Sequence, residues 1–149
     1  MGRYFEEFTV GEVFETYSRT ITETDLVNFA GITGDNNPLH MDEVFAAATP
    51  FGGRIAHGPL FVGLTFGLLS QFDLLERTVL ALRRVSWQYD GAVKIGDTVR
   101  VRAEVTGLKE NPSKPDRGNL SMSVVLLNQR DEEVQTGSFD AVMARKTGP

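Results

Sequence analysis

The stretch Pro59-Leu-Phe-Val-Gly-Leu-Thr-Phe-Gly-Leu-Leu69 carries no charged side chain and is apolar on every face. A helix lying on a protein surface keeps one polar face, so this run predicts a helix buried within the molecule. Proline suits the first helical position, where a missing N–H has no intrahelical partner to lose. The run is far short of the roughly 20 apolar residues that span a bilayer. A buried helix that is apolar all round needs a wrapper made by the rest of the chain.

The residues downstream read as that wrapper. Val79, Ala81, Arg83, Val85, Trp87 and Tyr89 form a largely apolar alternating row. Val99, Val101, Ala103 and Val105 then alternate with Thr98, Arg100, Arg102 and Glu104, the period-two pattern of a half-buried strand. Residues 91–97 form a turn-rich connection between these two strands. Leu120, Met122, Val124 and Leu126 mark a third strand and residues 133–145 a fourth, with the proline- and glycine-containing loop 110–118 as a long hairpin connection. Upstream, Thr22-Glu-Thr-Asp25 is a capping box that opens a helix, followed by Leu26, Val27, Phe29, Ala30 and Ile32, with Gly34 as its stop. A second short helix fits residues 42–48, and residues 14–21 supply one more strand at the front. The order predicts an α+β fold, a single domain over residues 1–149 in which an antiparallel meander wraps a central helix. An exposed sheet edge predicts pairing with a second copy, as a homodimer or higher homo-oligomer.

Composition narrows the function. The 149 residues carry a net charge of −5, with Lys and Arg scattered singly, which argues against a nucleic-acid surface. The chain has no cysteine, which excludes a disulfide framework, a thiolate nucleophile and Cys-ligated metal. Residues 1–12 are charged and lack an apolar core, so no secretory signal is expected, no membrane partner is implied, and the expected address is cytoplasmic. There is no glycine-rich phosphate loop and no Gly-x-Ser-x-Gly elbow.

Both histidines lie in the turn-rich middle of the chain. In Thr33-Gly-Asp-Asn-Asn-Pro-Leu-His40, Pro38 restricts Asn37 to extended conformations, and Gly34 with the two asparagines favours turns. The segment is therefore expected to be non-helical and to bend so that Asp35 and His40 converge, a pairing suited to binding and activating a water. The alternative is an Asx-capped loop with His40 merely hydrogen-bonded. In Gly52-Gly-Arg-Ile-Ala-His-Gly58, just before the apolar helix, Gly58 offers an N–H at a helix start, while Pro59 offers none. Such an N–H can stabilise an oxyanion, and glycine lets a ligand approach the backbone. His57 reads as a packing or orienting residue, Arg54 as either a phosphate-holding cation or surface charge, and Trp87 as a core residue of its strand. A metal at His40 lacks a third good ligand nearby, so none is expected.

The run Phe29-Ala-Gly-Ile-Thr-Gly-Asp-Asn-Asn-Pro-Leu-His40, followed by Gly53-Arg-Ile-Ala-His-Gly58 and an apolar helix, resembles the MaoC-like dehydratases, the (R)-specific enoyl-CoA hydratase type. The opening Tyr4-Phe-Glu-Glu-Phe-Thr-Val-Gly-Glu and the segment Val85-Ser-Trp-Gln-Tyr-Asp-Gly-Ala-Val-Lys-Ile-Gly-Asp97 extend the likeness over nearly the whole chain, with Ala92 standing where such proteins often place proline. The resemblance implies a hotdog fold, a long buried central helix wrapped by an antiparallel sheet, usually dimeric. It implies a hydro-lyase that reversibly adds water to a trans-2-enoyl-CoA to give the (R)-3-hydroxyacyl-CoA in fatty acid metabolism. It assigns water activation to Asp35 and His40 and the thioester-oxygen donor to Gly58. Asn37, His57, Arg54 and Phe61 are the candidate substrate-binding positions, with Phe51, Phe61 and Phe66 shaping the pocket. No cofactor is implied beyond the coenzyme A of the substrate. A hotdog thioesterase and a non-catalytic acyl-thioester binding subunit are the alternatives.

Overall fold

The computed structural model describes residues 1–146, and residues 147–149 of the expected unit lie outside that range. Two short strands, β1 (Val13–Glu15) and β2 (Arg19–Thr20), precede helices α1 (Glu23–Thr33), α2 (Pro38–Met41), α3 (Glu43–Ala47) and α4 (Leu60–Leu69). Four long strands follow: β3 (Val79–Tyr89), β4 (Thr98–Glu110), β5 (Arg117–Leu127) and β6 (Glu133–Ala144). The antiparallel sheet runs β1-β4-β5-β6-β3, with β2 also on β4. The long strands are therefore not a simple meander, because β3 pairs with β6 rather than with its successor β4. The chain leaves β3 at one edge and re-enters on the far side of the sheet. A single bridge, Ile55 to Lys94, forms where that connection passes the entry to α4.

Local chemistry explains the helix ends. The Thr22 backbone N–H donates to Asp25 Oδ2 at 2.9 Å, closing the capping box of α1. Gly34 ends that helix at φ 77°, a left-handed conformation that glycine adopts without strain. The segment after it corrects the expectation of an irregular loop up to His40. Pro38 constrains only Asn37, which stays extended at ψ 131° and caps α2 by accepting the Leu39 N–H at 3.0 Å, and Pro38 then starts the helix itself. His40 consequently sits on a helical turn. Asp42 ends α2 and caps α3, its carboxylate accepting the Phe45 N–H at 3.0 Å.

The core lies between α4 and the concave face of the sheet. Val99, Val101, Ala103 and Val105 of β4 and Leu120, Met122, Val124 and Leu126 of β5 are all buried, as their alternation predicts. They pack with Phe61, Leu68 and Leu69 of α4, and with Ile21 and Leu26. Two expectations fail at this level. First, α4 is not enclosed on every side: Phe61, Thr65, Leu68 and Leu69 are buried, whereas Pro59, Gly63 and Gly67 form an outward stripe at i, i+4, i+8. Second, β3 is the edge strand, bulged at two places, and Val79, Leu80, Leu82, Val85 and Tyr89 are exposed. In α1, Val27 and Ile32 also face outward, and only Leu26 and Ala30 are buried. No helix among the described residues is long and apolar enough to cross a membrane.

Glycine packing gives a direct test. A Cβ at Gly118 would fall 2.5 Å from the Phe5 ring, while at Gly31, inside α1, it would meet nothing within 4 Å. Gly118→Ala is expected to lower unfolding free energy by about 1–3 kcal/mol through overpacking. Gly31→Ala should raise it by about 0.5–1 kcal/mol, because glycine in a helix loses more entropy on folding than alanine. Urea denaturation of both variants measures the two shifts.

Candidate active site

Three segments converge on the start of α4. The loop after α1 carries Asp35, α2 carries His40, and residues 55–58 carry His57 and Gly58 into α4. The backbone joins them: the Ile55 N–H donates to the Leu39 carbonyl at 3.3 Å, and the Ala56 N–H donates to the Val93 carbonyl at 2.7 Å. One ligand atom from each of Asp35, His40 and His57 falls within 4.8 Å of the others. The imidazoles of His40 and His57 pack in a tilted pair, with centroids 4.0 Å apart and planes inclined by 32°. Phe29 of α1 packs on His57 from another side, at 4.9 Å between centroids.

The hydrogen bonds decide which nitrogen of each ring is free. His40 Nδ1 lies 2.8 Å from the Ile55 carbonyl oxygen, and His57 Nε2 lies 2.9 Å from the Asp35 carbonyl oxygen. A carbonyl only accepts, so each of those nitrogens carries the proton and donates it. The lone pairs are left on His40 Nε2 and His57 Nδ1. His57 is fully buried, and its Nδ1 has no hydrogen-bond partner among the described residues. Asp35 is exposed, and its Oδ1 accepts the Asn37 N–H at 3.3 Å. A carboxylate oxygen and one nitrogen of each imidazole thus lie within 4.8 Å of one another, a spacing that a water, which both donates and accepts, can bridge. One carboxylate and two histidines also match the ligand types of a three-ligand metal site, and this is the one such cluster among the described residues. The expectation that His40 lacks a third ligand overlooked His57, which the fold brings in from 17 residues away in sequence.

Beside this cluster lies a cavity of about 310 Å³, within the size range of small-molecule sites. Its lining includes His40, Phe51, Ile55, Gly58, Tyr89 and Gln135. Among the described residues the Gly58 N–H donates to no protein atom, whereas its carbonyl accepts the Phe61 N–H at 3.1 Å. The Tyr89 ring lies against Gly58 so closely that a Cβ there would sit 2.9 Å from it. Lys94 Nζ donates to the Phe51 carbonyl at 2.5 Å and pins one rim of the cavity.

The remaining sequence candidates fall in different places. Asn37 has its Oδ1 on the Leu39 N–H, where it caps α2. Arg54 donates to Glu43 and to Glu23, both at 2.7 Å, and these hydrogen bonds, Glu43 first, raise its pKa above the ordinary value. Its guanidinium is therefore engaged as a clasp between α1, α3 and the 55–58 run rather than held free for a phosphate. Phe61 is fully buried in the core, and neither it nor Phe66 lines this cavity; of the three predicted aromatics only Phe51 does. Tyr89 and Gln135 escaped the sequence reading. Nothing in the sequence singles out Gln135, which stands between Val134 and Thr136 in a strand of mixed polar and apolar residues.

His57→Phe isolates the tether between α4 and the Asp35 loop. The ring still packs on Phe29, but the bond to the Asp35 carbonyl is gone. Backbone amides of residues 34–37 are expected to exchange with solvent faster, while those of β4 and β5 keep their protection, as read by hydrogen–deuterium exchange.

Comparison with known proteins gives a consistent picture. Residues 6–125 match the family described as MaoC like domain. The chain is similar to the 3-hydroxybutyryl-CoA dehydratase of Methylorubrum extorquens, 42% identical over 105 residues, covering 70% of this chain and 65% of the relative. It is also similar to the (R)-specific enoyl-CoA hydratase of Rhodospirillum rubrum, 37% identical over 105 residues, covering 70% of this chain and 71% of that one. The match to the first relative thus spans just under two thirds of its length. A solved MaoC-like dehydratase from Rhodospirillum rubrum superposes with a TM-score of 0.85 at 27% identity, over 99% of this chain and 100% of the other. The solved neighbours have the hotdog fold, and so does this chain.

Proposed function

Since the chain belongs to the MaoC-like domain family, we propose that it is a hydro-lyase that adds water reversibly across the double bond of a trans-2-enoyl-CoA. The observation that carries this reading is the meeting of the Asp35 carboxylate and the His40 imidazole beside a cavity that His40 and Gly58 line together. The relatives named as a dehydratase and a hydratase of CoA thioesters support it. In the proposed reaction a water sits between the Asp35 carboxylate and His40 Nε2. Its oxygen bonds to the substrate β-carbon while one proton passes to the imidazole lone pair, and Asp35 holds the other hydrogen. Electron density moves from the carbon–carbon double bond onto the thioester oxygen, which the Gly58 N–H stabilises. The enolate then takes that proton from the His40 imidazolium at the α-carbon, so both hydrogens and the oxygen of the water end on the product and the protein returns to its starting protonation.

General acid–base assistance of this kind is worth about 10²–10⁴ in rate, and one well-aimed oxyanion donor about 10²–10³. The reaction requires no redox or metal cofactor, and coenzyme A enters as part of the substrate. The (R) configuration of the product is carried over from the relative of that name. A CoA thioester substrate also fits a cytoplasmic location. The apolar edge strand β3, with Leu80 and Leu82 exposed, supports a homodimer in which a second copy covers that edge.

Crotonyl-CoA tests the reading through loss of enoyl absorbance. The parent is expected to turn over, Asp35→Asn to lose at least about 100-fold in kcat while remaining folded, and EDTA to leave the rate unchanged. Absence of hydration, with release of free thiol instead, would identify a thioesterase. Absence of any turnover across a panel of enoyl-CoA esters would leave a binding subunit.

A further inference from the structure

One buried polar side chain lines the cavity without a part in that reaction. Gln135 of β6 is 2% exposed and shares the cavity wall with His40 and Gly58. The Trp87 indole N–H donates to its Oε1 at 2.7 Å. An indole nitrogen only donates, so the carboxamide oxygen must face Trp87 and the NH₂ must face the other way. There it donates to the Gly58 carbonyl at 3.4 Å. The sheet register holds all the parts. Trp87 stands opposite Gly137 in the β3–β6 ladder, and a Cβ at Gly137 would run into the indole. Tyr89 stands opposite Gln135, and its ring presses on the Cα side of Gly58. Gly58 is thus held by an aromatic ring on one side and a carboxamide on its carbonyl.

We propose that Gln135, oriented by Trp87, is a positioning residue that holds Gly58 so that its N–H points into the cavity at the thioester oxygen; the proposal rests on the hydratase reading. Glycine has the widest backbone freedom of any residue, and Pro59 brings no N–H to steady the turn. A donor aimed at developing charge works only if it is already in place when the charge appears. Stability alone gives no reason for the amide. A buried carboxamide must be desolvated, and apolar groups replacing both Gln135 and the Trp87 N–H would pack there at little cost. Two strands therefore carry a buried polar pair whose consequence is felt at the helix start.

The test compares Gln135→Leu, Trp87→Phe and the double variant with the parent, on crotonyl-CoA and by thermal unfolding. Gln135→Leu is expected to lose about 10-fold in kcat, the equivalent of one misdirected hydrogen bond, with KM within about twofold. Trp87→Phe should lose less, and the double variant should be no slower than Gln135→Leu while unfolding near the parent temperature, because both polar partners are gone. A folded Gln135→Leu with parental kcat overturns the proposal, as does a rise in KM with kcat unchanged, which would make Gln135 a ground-state contact. The Gly58 amide gives a readout that needs no substrate. In ¹H–¹⁵N spectra its resonance should shift, and its hydrogen should exchange faster, in Gln135→Leu. If the parent hydrates no enoyl thioester, the hydratase reading fails by itself and the amide decides whether Gln135 orients Gly58. An unmoved amide with unchanged exchange overturns the positioning role in either case.

Discussion

Residues 55–58, which lead into α4, are held by neighbours that are remote from one another in sequence, and the site exists because they are held together. The Ile55 carbonyl accepts the His40 Nδ1–H, the Ala56 N–H donates to the Val93 carbonyl, and the His57 Nε2–H donates to the Asp35 carbonyl. Each bond joins the run to a different part of the chain: α2, the connection after β3, and the loop after α1. Backbone carbonyls are fixed acceptors, so they determine the tautomers of both imidazoles and leave one lone pair on each. Releasing the run would undo the geometry of Asp35, His40, His57 and Gly58 together.

The rigidity of that run comes from the fold around it. Its far end is anchored by α4, whose Phe61, Leu68 and Leu69 are buried against the alternating valines and alanine of β4 and the inward row of β5. Burial of apolar area at about 25 cal/mol per Å² makes this the dominant favourable term. The near end is clasped by Arg54, which ties it to Glu23 and Glu43. Both carboxylates are well exposed, so the clasp adds little to stability, and its consequence is the register of α1 and α3 beside the site. The sheet contributes on its concave face through β3 and β6, whose Tyr89 and Gln135 reach the same glycine that opens onto the cavity.

This division of labour fits a reaction that needs little chemistry from the protein. Adding water to a conjugated thioester asks for a held water, a proton acceptor and a donor for the oxyanion, all in fixed positions. In the proposed reaction the first two would come from a capped loop and one turn of helix, elements with short reach whose ends are locked by Asx caps at Asn37 and Asp42. The third would come from the start of α4.

Local signals were enough for the elements and for choosing Asp35, His40 and Gly58 as candidates. The capping box at Thr22, the stop at Gly34, the apolar α4 and the period-two rows of β4 and β5 follow from side-chain chemistry within a few residues, so the sequence by itself determined them. The spacing of Asp35 and His40, and the glycine before Pro59, were legible for the same reason. Pro38 misled at short range, because a residue that forbids a helix before it can also begin one. Everything that depended on strand pairing was decided only by the tertiary structure: the placement of β3 beside β6, the outward face of α4, the approach of His57 to Asp35, and the reach of Gln135 to Gly58. Those contacts join residues from 22 to 77 positions apart, where no periodicity or propensity carries a signal, and only the closure of the sheet around α4 brings them within hydrogen-bonding distance.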